Sequence, residues 1–289
     1  MTLSPIGRFA PSPTGPLHQG SLVAALASYL AVKSEGGQWL VRIEDLDPPR
    51  EIAGMAAQQL ASLATFGLLS DAPVAYQSQR SVHYEQALDR LLGLGKAFYC
   101  HCSRSQLAAG DGIHRHCVNT HDTGPASIRL RVTDLPIEFN DGIYGPQRQN
   151  LAREVGDFVL KRADGHYAYQ LAVVVDDALQ GISQIVRGAD LLDSTPRQIF
   201  LQRELGYTTP AYLHIPLVLD ESGAKLSKSQ WATALADRDR FLALHAALRH
   251  LGQDADLLQS GLSVPDNLNI ALRHFNPDSL RALGARGQP

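Results

Sequence analysis

Two hydrophobic periods alternate along this chain. The apolar run Ile6–Ala10 reads as a strand and breaks at Pro11, Pro13, Gly15 and Pro16. Apolar residues at 22, 23, 26, 29, 30 and 32 follow the helical period, which predicts a helix over about 21–33 capped by Ser21 or Gly20. Trp39–Ile43 is strand-like again and ends at Glu-Asp-Leu-Asp-Pro-Pro. Helices are predicted over 51–66 and 81–94. Strands alternating with helices predict a parallel α/β sheet.

The texture changes at Phe98. Short β-like runs, Ser127–Val132, Pro136–Phe139 and Asp157–Lys161, are separated by Gly and Asp, so 98–163 reads as an insertion interrupting the sheet. The α/β texture resumes with Tyr167–Leu179, Ile182–Val186, a helix near Thr195–Leu205 and the run Tyr212–Leu219. Beyond Ser229 the pattern is helical, over 235–251 and 266–275. The predicted division is 1–97 and 164–230 as two halves of one sheet domain, 98–163 as the insertion, and 231–289 as a short helical end.

Composition narrows the partners. The 289 residues carry 26 basic against 29 acidic side chains, a formal charge of −3, so a globally basic nucleic-acid coat is excluded while a local patch is not. The start lacks a positive region followed by an apolar run, and Leu22–Val32 is too short to span a bilayer. The expectation is a soluble, cytoplasmic protein.

Candidate chemistry sits in three places. Arg8 to Leu22 runs strand, loop, helix start, and ligands of open α/β sheets bind beyond the carboxyl ends of strands. A helix N-terminus there offers N–H groups and partial positive charge to a phosphate. Gly20 permits close approach, and His18 can donate to phosphate oxygens. The second place is Lys225-Leu226-Ser227-Lys228-Ser229: only five residues of the chain are Lys, and two lie here, suited to charge developing on a phosphoryl group. The third is a Cys/His cluster. Cys100, Cys102 and Cys117 with His114 make a tetrahedral thiolate–imidazole set for one structural Zn²⁺, with His101, His116 and His121 as other candidates for the fourth ligand. Three reduced thiols without metal is the competing reading.

The segment Pro11-Ser12-Pro13-Thr14-Gly15-Pro16-Leu17-His18-Gln19-Gly20-Ser21 resembles the first signature of class I aminoacyl-tRNA synthetases, and Lys225–Ser229 resembles the second. Arg8–Gly15, Arg42–Asp47 and Arg187-Gly188-Ala189-Asp190 resemble the glutamyl branch. The resemblance implies a Rossmann-type nucleotide-binding core with a zinc-bearing α+β insertion and a short helical end. It implies ATP, with Mg²⁺, and L-glutamate as substrates. Arg8 and Arg187 would take the carboxylates, Glu44 the ammonium, and Tyr169 a hydroxyl contact. Phe9, Ala10, Pro11 and Ser12 would line the pocket, while His18, Gly20, Ser21, Lys225 and Lys228 would meet the phosphates. The zinc motif departs from that of shortened paralogues of this branch: His114 stands where those paralogues carry Tyr, one residue nearer the last Cys.

The glutamyl branch carries a large helical anticodon-binding region after its second signature. Only sixty residues follow Ser229, and from 231 onward six Arg balance six Asp. With Cys-x-Cys and Asp47-Pro48-Pro49-Arg50, this resembles shortened paralogues that activate glutamate without RNA. Those paralogues transfer it to queuosine in the anticodon of tRNA(Asp). The competing expectations are a shortened synthetase charging a tRNA 3′ end, another nucleotidyltransferase, and a non-catalytic zinc-bearing RNA-binding module.

Overall fold

The computed structural model describes residues 4–109, 111–119, 124–219 and 234–286. Its first half runs β1 (Ile6–Phe9), α1 (Gln19–Lys33), β2 (Gln38–Ile43), α2 (Met55–Thr65), β3 (Ala75–Tyr76) and α3 (Ser81–Gly93). A middle segment holds β4 (Ala97–Cys100), α4 (Arg104–Ala108), β5 (Ser127–Leu130), β6 (Pro136–Asp141), β7 (Gly145–Asn150), α5 (Leu151–Glu154) and β8 (Phe158–Lys161). The chain then returns through α6 (Tyr169–Leu179), β9 (Gln184–Gly188), α7 (Thr195–Leu205) and β10 (Ala211–Ile215). Helices α8 (Arg240–His250), α9 (Val264–Arg273) and α10 (Pro277–Arg281) follow.

The predicted parallel sheet is present, with five strands in the order β10-β9-β1-β2-β3. Strand order reverses at β1, which places a crevice beyond the carboxyl ends of β1 and β9. The middle segment builds separate antiparallel sheets, β4-β5-β8 and the hairpin β6-β7.

Side-chain alternation assigns the two faces of the parallel sheet. Trp39, Val41, Val186, Leu213 and Ile215 pack in one core with α1, α8 and α9. Leu40, Ile185 and Tyr212, one residue out of phase, pack in a second core with α3, α6, α7 and the β4-β5-β8 sheet. Arg8 pairs in register with Leu40, and Arg187 with His214, so these charged residues face α6 and α7 with the second set. Arg42 shares that parity.

Several boundaries differ from the sequence expectation for local reasons. Helix α1 begins at Gln19 because His18, not Ser21 or Gly20, is its cap. Helix α2 starts at Met55 rather than 51, since Pro48–Arg50 close a 3-10 turn and Glu51 is extended. Strand β10 stops at Ile215, short of Leu219, because Pro216 has no N–H for a ladder. The helix expected over 235–251 is a 3-10 turn, Leu235–Asp237, followed by α8, whose first turn is capped by Asp239 accepting from Leu242 N–H at 2.9 Å. Among the described residues, no helix is long and apolar enough to cross a membrane.

Candidate active site

A cavity of about 650 Å³ opens at the carboxyl ends of β1 and β9. Its floor is the loop 10–17, held from several sides. Gln59 of α2 donates to the carbonyls of Ser12 at 3.0 Å and Gly15 at 2.7 Å. Backbone bonds tie Glu44 N–H to Pro11, Ile52 N–H to Pro13 and Leu235 N–H to Leu17. The loop delivers His18 to the start of α1. There the His18 imidazole Nδ1 accepts from Ser21 N–H at 3.3 Å, and Ser21 Oγ accepts from His18 N–H at 3.3 Å. With Nδ1 used as an acceptor, the ring carries its proton on Nε2, a donor. A Cβ on Gly20 would lie 3.0 Å from the His18 ring, so glycine there lets the imidazole fold over the helix terminus.

The cavity's charge comes from a buried array. Arg8 pairs with Asp177 through Nε at 3.1 Å and Nη2 at 3.3 Å. Arg42, wholly buried, donates to Asp177 at 2.8 Å, Gln180 at 2.7 Å and Glu44 at 3.2 Å. Neighbouring Asp176 accepts from Arg80 at 2.5 Å, Gln77 at 2.9 Å and Tyr84 at 2.7 Å. Burial disfavours the Asp177 carboxylate, but Arg8 and Arg42 outweigh it and hold its pKa below the ordinary range. For Glu44 burial wins, and its pKa is raised despite Arg42 and Arg8. Arg187, 5% exposed, reaches Tyr169 hydroxyl at 3.5 Å and donates to Thr195 Oγ1 at 2.8 Å and His214 Nε2 at 3.0 Å. The Arg and acidic side chains that line the cavity are Arg8, Arg187, Glu44 and Asp190.

The cysteines form a second constellation. One donor atom from each of Cys100, Cys102, His114 and Cys117 lies within 4.8 Å of every other. His114 Nε2 sits 3.3 Å from Cys100 Sγ and 3.8 Å from Cys117 Sγ, while Nδ1 lies 3.1 Å from Asp157 Oδ2. With Nδ1–H donating to the carboxylate, the Nε2 lone pair faces the sulfurs, the arrangement of a metal-ligating histidine. Val118 N–H donates to Cys102 Sγ at 3.2 Å, a contact that favours the Cys102 thiolate, and Cys102 N–H donates to Cys100 Sγ at 3.4 Å. Burial and the crowding of Cys100 and Cys102 push the Cys117 thiol up to about 11, a repulsion that a bound dication would reverse. The donor set fits Zn²⁺. His116 is exposed and, like His101, stands outside the group.

Comparison with known proteins agrees with this geometry. Residues 6–121 and 111–250 match the family of class I tRNA synthetases (E and Q), catalytic domain. The chain belongs to this family.

Two curated relatives are named glutamyl-Q tRNA(Asp) synthetase. The protein of Xanthomonas axonopodis pv. citri is 56% identical over 94% of this chain and 91% of its own length. That of Pseudomonas entomophila is 50% identical over 95% and 94%. Among solved structures, the glutamate-tRNA synthetase of Elizabethkingia anophelis superposes with a TM-score of 0.79 at 24% identity, covering 96% of this chain and 67% of that one. A glutamate tRNA ligase from Elizabethkingia meningosepticum, solved with its amino acid, gives 0.77 at 23%, covering 96% and 65%. These likenesses show the class I fold.

In this synthetase Arg8, Phe9, Ala10, Pro11, Ser12, His18, Gly20, Ser21, Glu44, Tyr169 and Arg187 all line the one cavity. Lys225 and Lys228 lie outside the described residues, as does His121. Tyr169 turns toward the cavity, whereas Leu171 beside it is fully buried in the core. Arg187 is buried against His214 and Thr195. The sequence reading missed Asp176, Asp177, Asp141 and His214. A signal existed for two of them: adjacent aspartates interrupt the apolar run Leu171–Leu179, and if buried they need cationic or hydrogen-bonding partners.

Proposed function

We propose that this synthetase activates L-glutamate with ATP without needing RNA, then transfers the glutamyl group to queuosine in the anticodon of tRNA(Asp). The observation that carries the reading is the joining, in one cavity, of a His18-capped helix terminus with Arg8, Glu44, Tyr169 and Arg187. In this reading Glu44 takes the ammonium, and Arg187 and Arg8 face the carboxylates, with Tyr169 as a hydroxyl donor. The α-carboxylate of glutamate attacks the α-phosphorus of ATP and pyrophosphate leaves. The protein's work is positioning and charge stabilisation. His18 Nε2–H, the Gly20 N–H, the Ser21 hydroxyl, and Lys225 and Lys228 of the second signature stabilise the phosphates. Mg²⁺ entering with ATP supplies further charge neutralisation. Zn²⁺, held by Cys100, Cys102, His114 and Cys117, would be structural, with four protein ligands and no open position. Residues 98–163 then act as an inserted acceptor-binding unit between the two sheet halves, and the protein works in the cytoplasm, where its tRNA is.

The acceptor assignment is supported by the names of relatives at 50–56% identity over nearly their whole length. The amino-acid assignment is tested by ATP–pyrophosphate exchange in the absence of RNA. Exchange should depend on glutamate and be far weaker with glutamine, whose neutral amide leaves a buried guanidinium without its charge partner, a cost of about 2 kcal/mol or more. Equal exchange with both amino acids would remove the pocket assignment.

A further inference from the structure

The β6–β7 segment touches β10, the strand beside the amino-acid pocket, through Asp141. Asp141 ends β6 and is wholly buried beside β10. Its Oδ1 accepts from the N–H groups of Ile143 and Tyr144, each at 3.0 Å, and of His214 at 3.3 Å. Its Oδ2 lies 2.6 Å from His214 Nδ1. Gly142 N–H donates to Tyr212 carbonyl at 2.8 Å, and a Cβ on Gly142 would lie 2.7 Å from the Leu213 side chain, so the turn is seated on β10.

His214 is the register partner of Arg187 on the adjacent strand, and its Nε2 lies 3.0 Å from Arg187 Nε. A guanidinium only donates, so Nε2 must be the acceptor and the ring proton must sit on Nδ1, facing Asp141. Arg187 Nη2 is fixed by Thr195, at 2.8 Å, and Leu191 carbonyl, at 3.4 Å. With those two nitrogens fixed, Nη1 is the one directed at Tyr169 hydroxyl beside the cavity.

The geometry points to Asp141 and His214 as positioning residues that lock Arg187 toward the substrate carboxylate, so that the inserted segment helps set glutamate affinity. The inference rests on the glutamate reading of the cavity. Burial, aided by the Arg187 charge, lowers the His214 pKa despite Asp141 and keeps the ring neutral, consistent with an accepting Nε2. An amide in place of the carboxylate would reverse the relay. Its oxygen would stay on the three backbone N–H groups, and its NH₂ would donate to Nδ1. The ring proton would then move to Nε2 and face the Arg187 Nε–H, the same loss of tautomer control that an amide causes in a catalytic triad.

The test is Asp141→Asn with ¹⁵N-histidine NMR and ATP–pyrophosphate exchange. The wild-type spectrum should show His214 protonated at Nδ1, and the variant's should show the proton at Nε2. The glutamate KM should rise roughly tenfold to a hundredfold, the scale of one hydrogen bond to a charged group, while the ATP KM stays put. His214→Gln, whose amide oxygen can accept from Arg187, should retain more glutamate affinity than His214→Leu. A wild-type ring protonated at Nε2, or an unchanged glutamate KM in a folded Asp141→Asn enzyme, overturns the relay. A wild-type enzyme without glutamate-dependent exchange instead defeats the reading of the cavity, and the tautomer measurement still decides the relay.

Discussion

At the scale of residues, the site is a set of side chains whose charge states depend on one another. Glu44 must be ionised to hold an ammonium, and burial raises its pKa against the opposing pull of Arg42 and Arg8, with Asp177 adding to the rise. Affinity for glutamate is therefore complete above that raised pKa and is lost as the pH falls through it, at a higher pH than an ordinary carboxylate would impose. The glutamate KM measured in exchange from neutral to acidic pH should climb accordingly. Glu44→Gln should show a KM raised roughly tenfold or more that no longer follows this titration. A wild-type profile flat down to the ordinary carboxylate range would contradict the assignment.

In the proposed function His18 carries two duties, as helix cap and as phosphate donor, and two variants separate them. His18→Asn keeps a side-chain acceptor for Ser21 N–H, so stability should change little. His18→Ala removes the cap as well, costing about 1 kcal/mol in chemical denaturation. Both lose the Nε2 donor, and both should exchange roughly 10²–10³ times more slowly. An Asn variant with normal turnover would leave His18 as a cap alone.

Among elements, the loop 10–17 supplies the longest run of cavity-lining residues, and helix α6 supplies Tyr169 and the aspartates that pair with Arg8 and Arg42. Gln59→Leu removes the donor that Ser12 and Gly15 carbonyls share, and should cost about 1–3 kcal/mol of stability and raise the glutamate KM. The sequence exposed this loop through its Pro and Gly pattern and its signature, and it exposed Arg8, Glu44 and Arg187 by resemblance. It did not expose what holds them. Asp177 is 169 positions from Arg8, and Asp141 is 73 from His214, so no local window contains either pair. Only strand parity and helix packing bring them together. The helix boundary at Gln19 was hidden for another reason: histidine is an uncommon cap, and its role rests on the imidazole turning back over Gly20.

The Cys/His element is separable from the cavity, since none of its four residues lines it. Protein prepared without added metal or chelator should contain about one zinc per chain by elemental analysis. Chelation should lower the melting temperature and speed amide exchange around residues 100–118, leaving glutamate-dependent exchange near its starting rate. Metal-free protein of unchanged stability would make the thiols bystanders.

At the scale of the whole molecule, the parallel sheet is a charge-sorting device. Alternation sends Trp39, Val41, Val186, Leu213 and Ile215 toward α1 and α8, and sends Arg8, Arg42 and Arg187, beside Leu40, Ile185, Tyr212 and the neutral His214, toward α6, where Asp176 and Asp177 neutralise part of the charge. The remainder faces the crevice at the strand reversal. The sheet itself was legible in the sequence, because strand and helix periods are local. The way the β6–β7 turn closes on β10 was not, because that contact is made by Asp141 and Gly142 across a fold the insertion interrupts.

The central claim is that glutamate activated in this cavity ends on queuosine. The most direct measurement offers the enzyme ATP, radiolabelled glutamate and tRNA from cells with and without queuosine, then maps the label. The account predicts label on the anticodon fragment of tRNA(Asp) from queuosine-containing cells alone. Label on the 3′ terminal adenosine, or equal labelling of both tRNA pools, would contradict it.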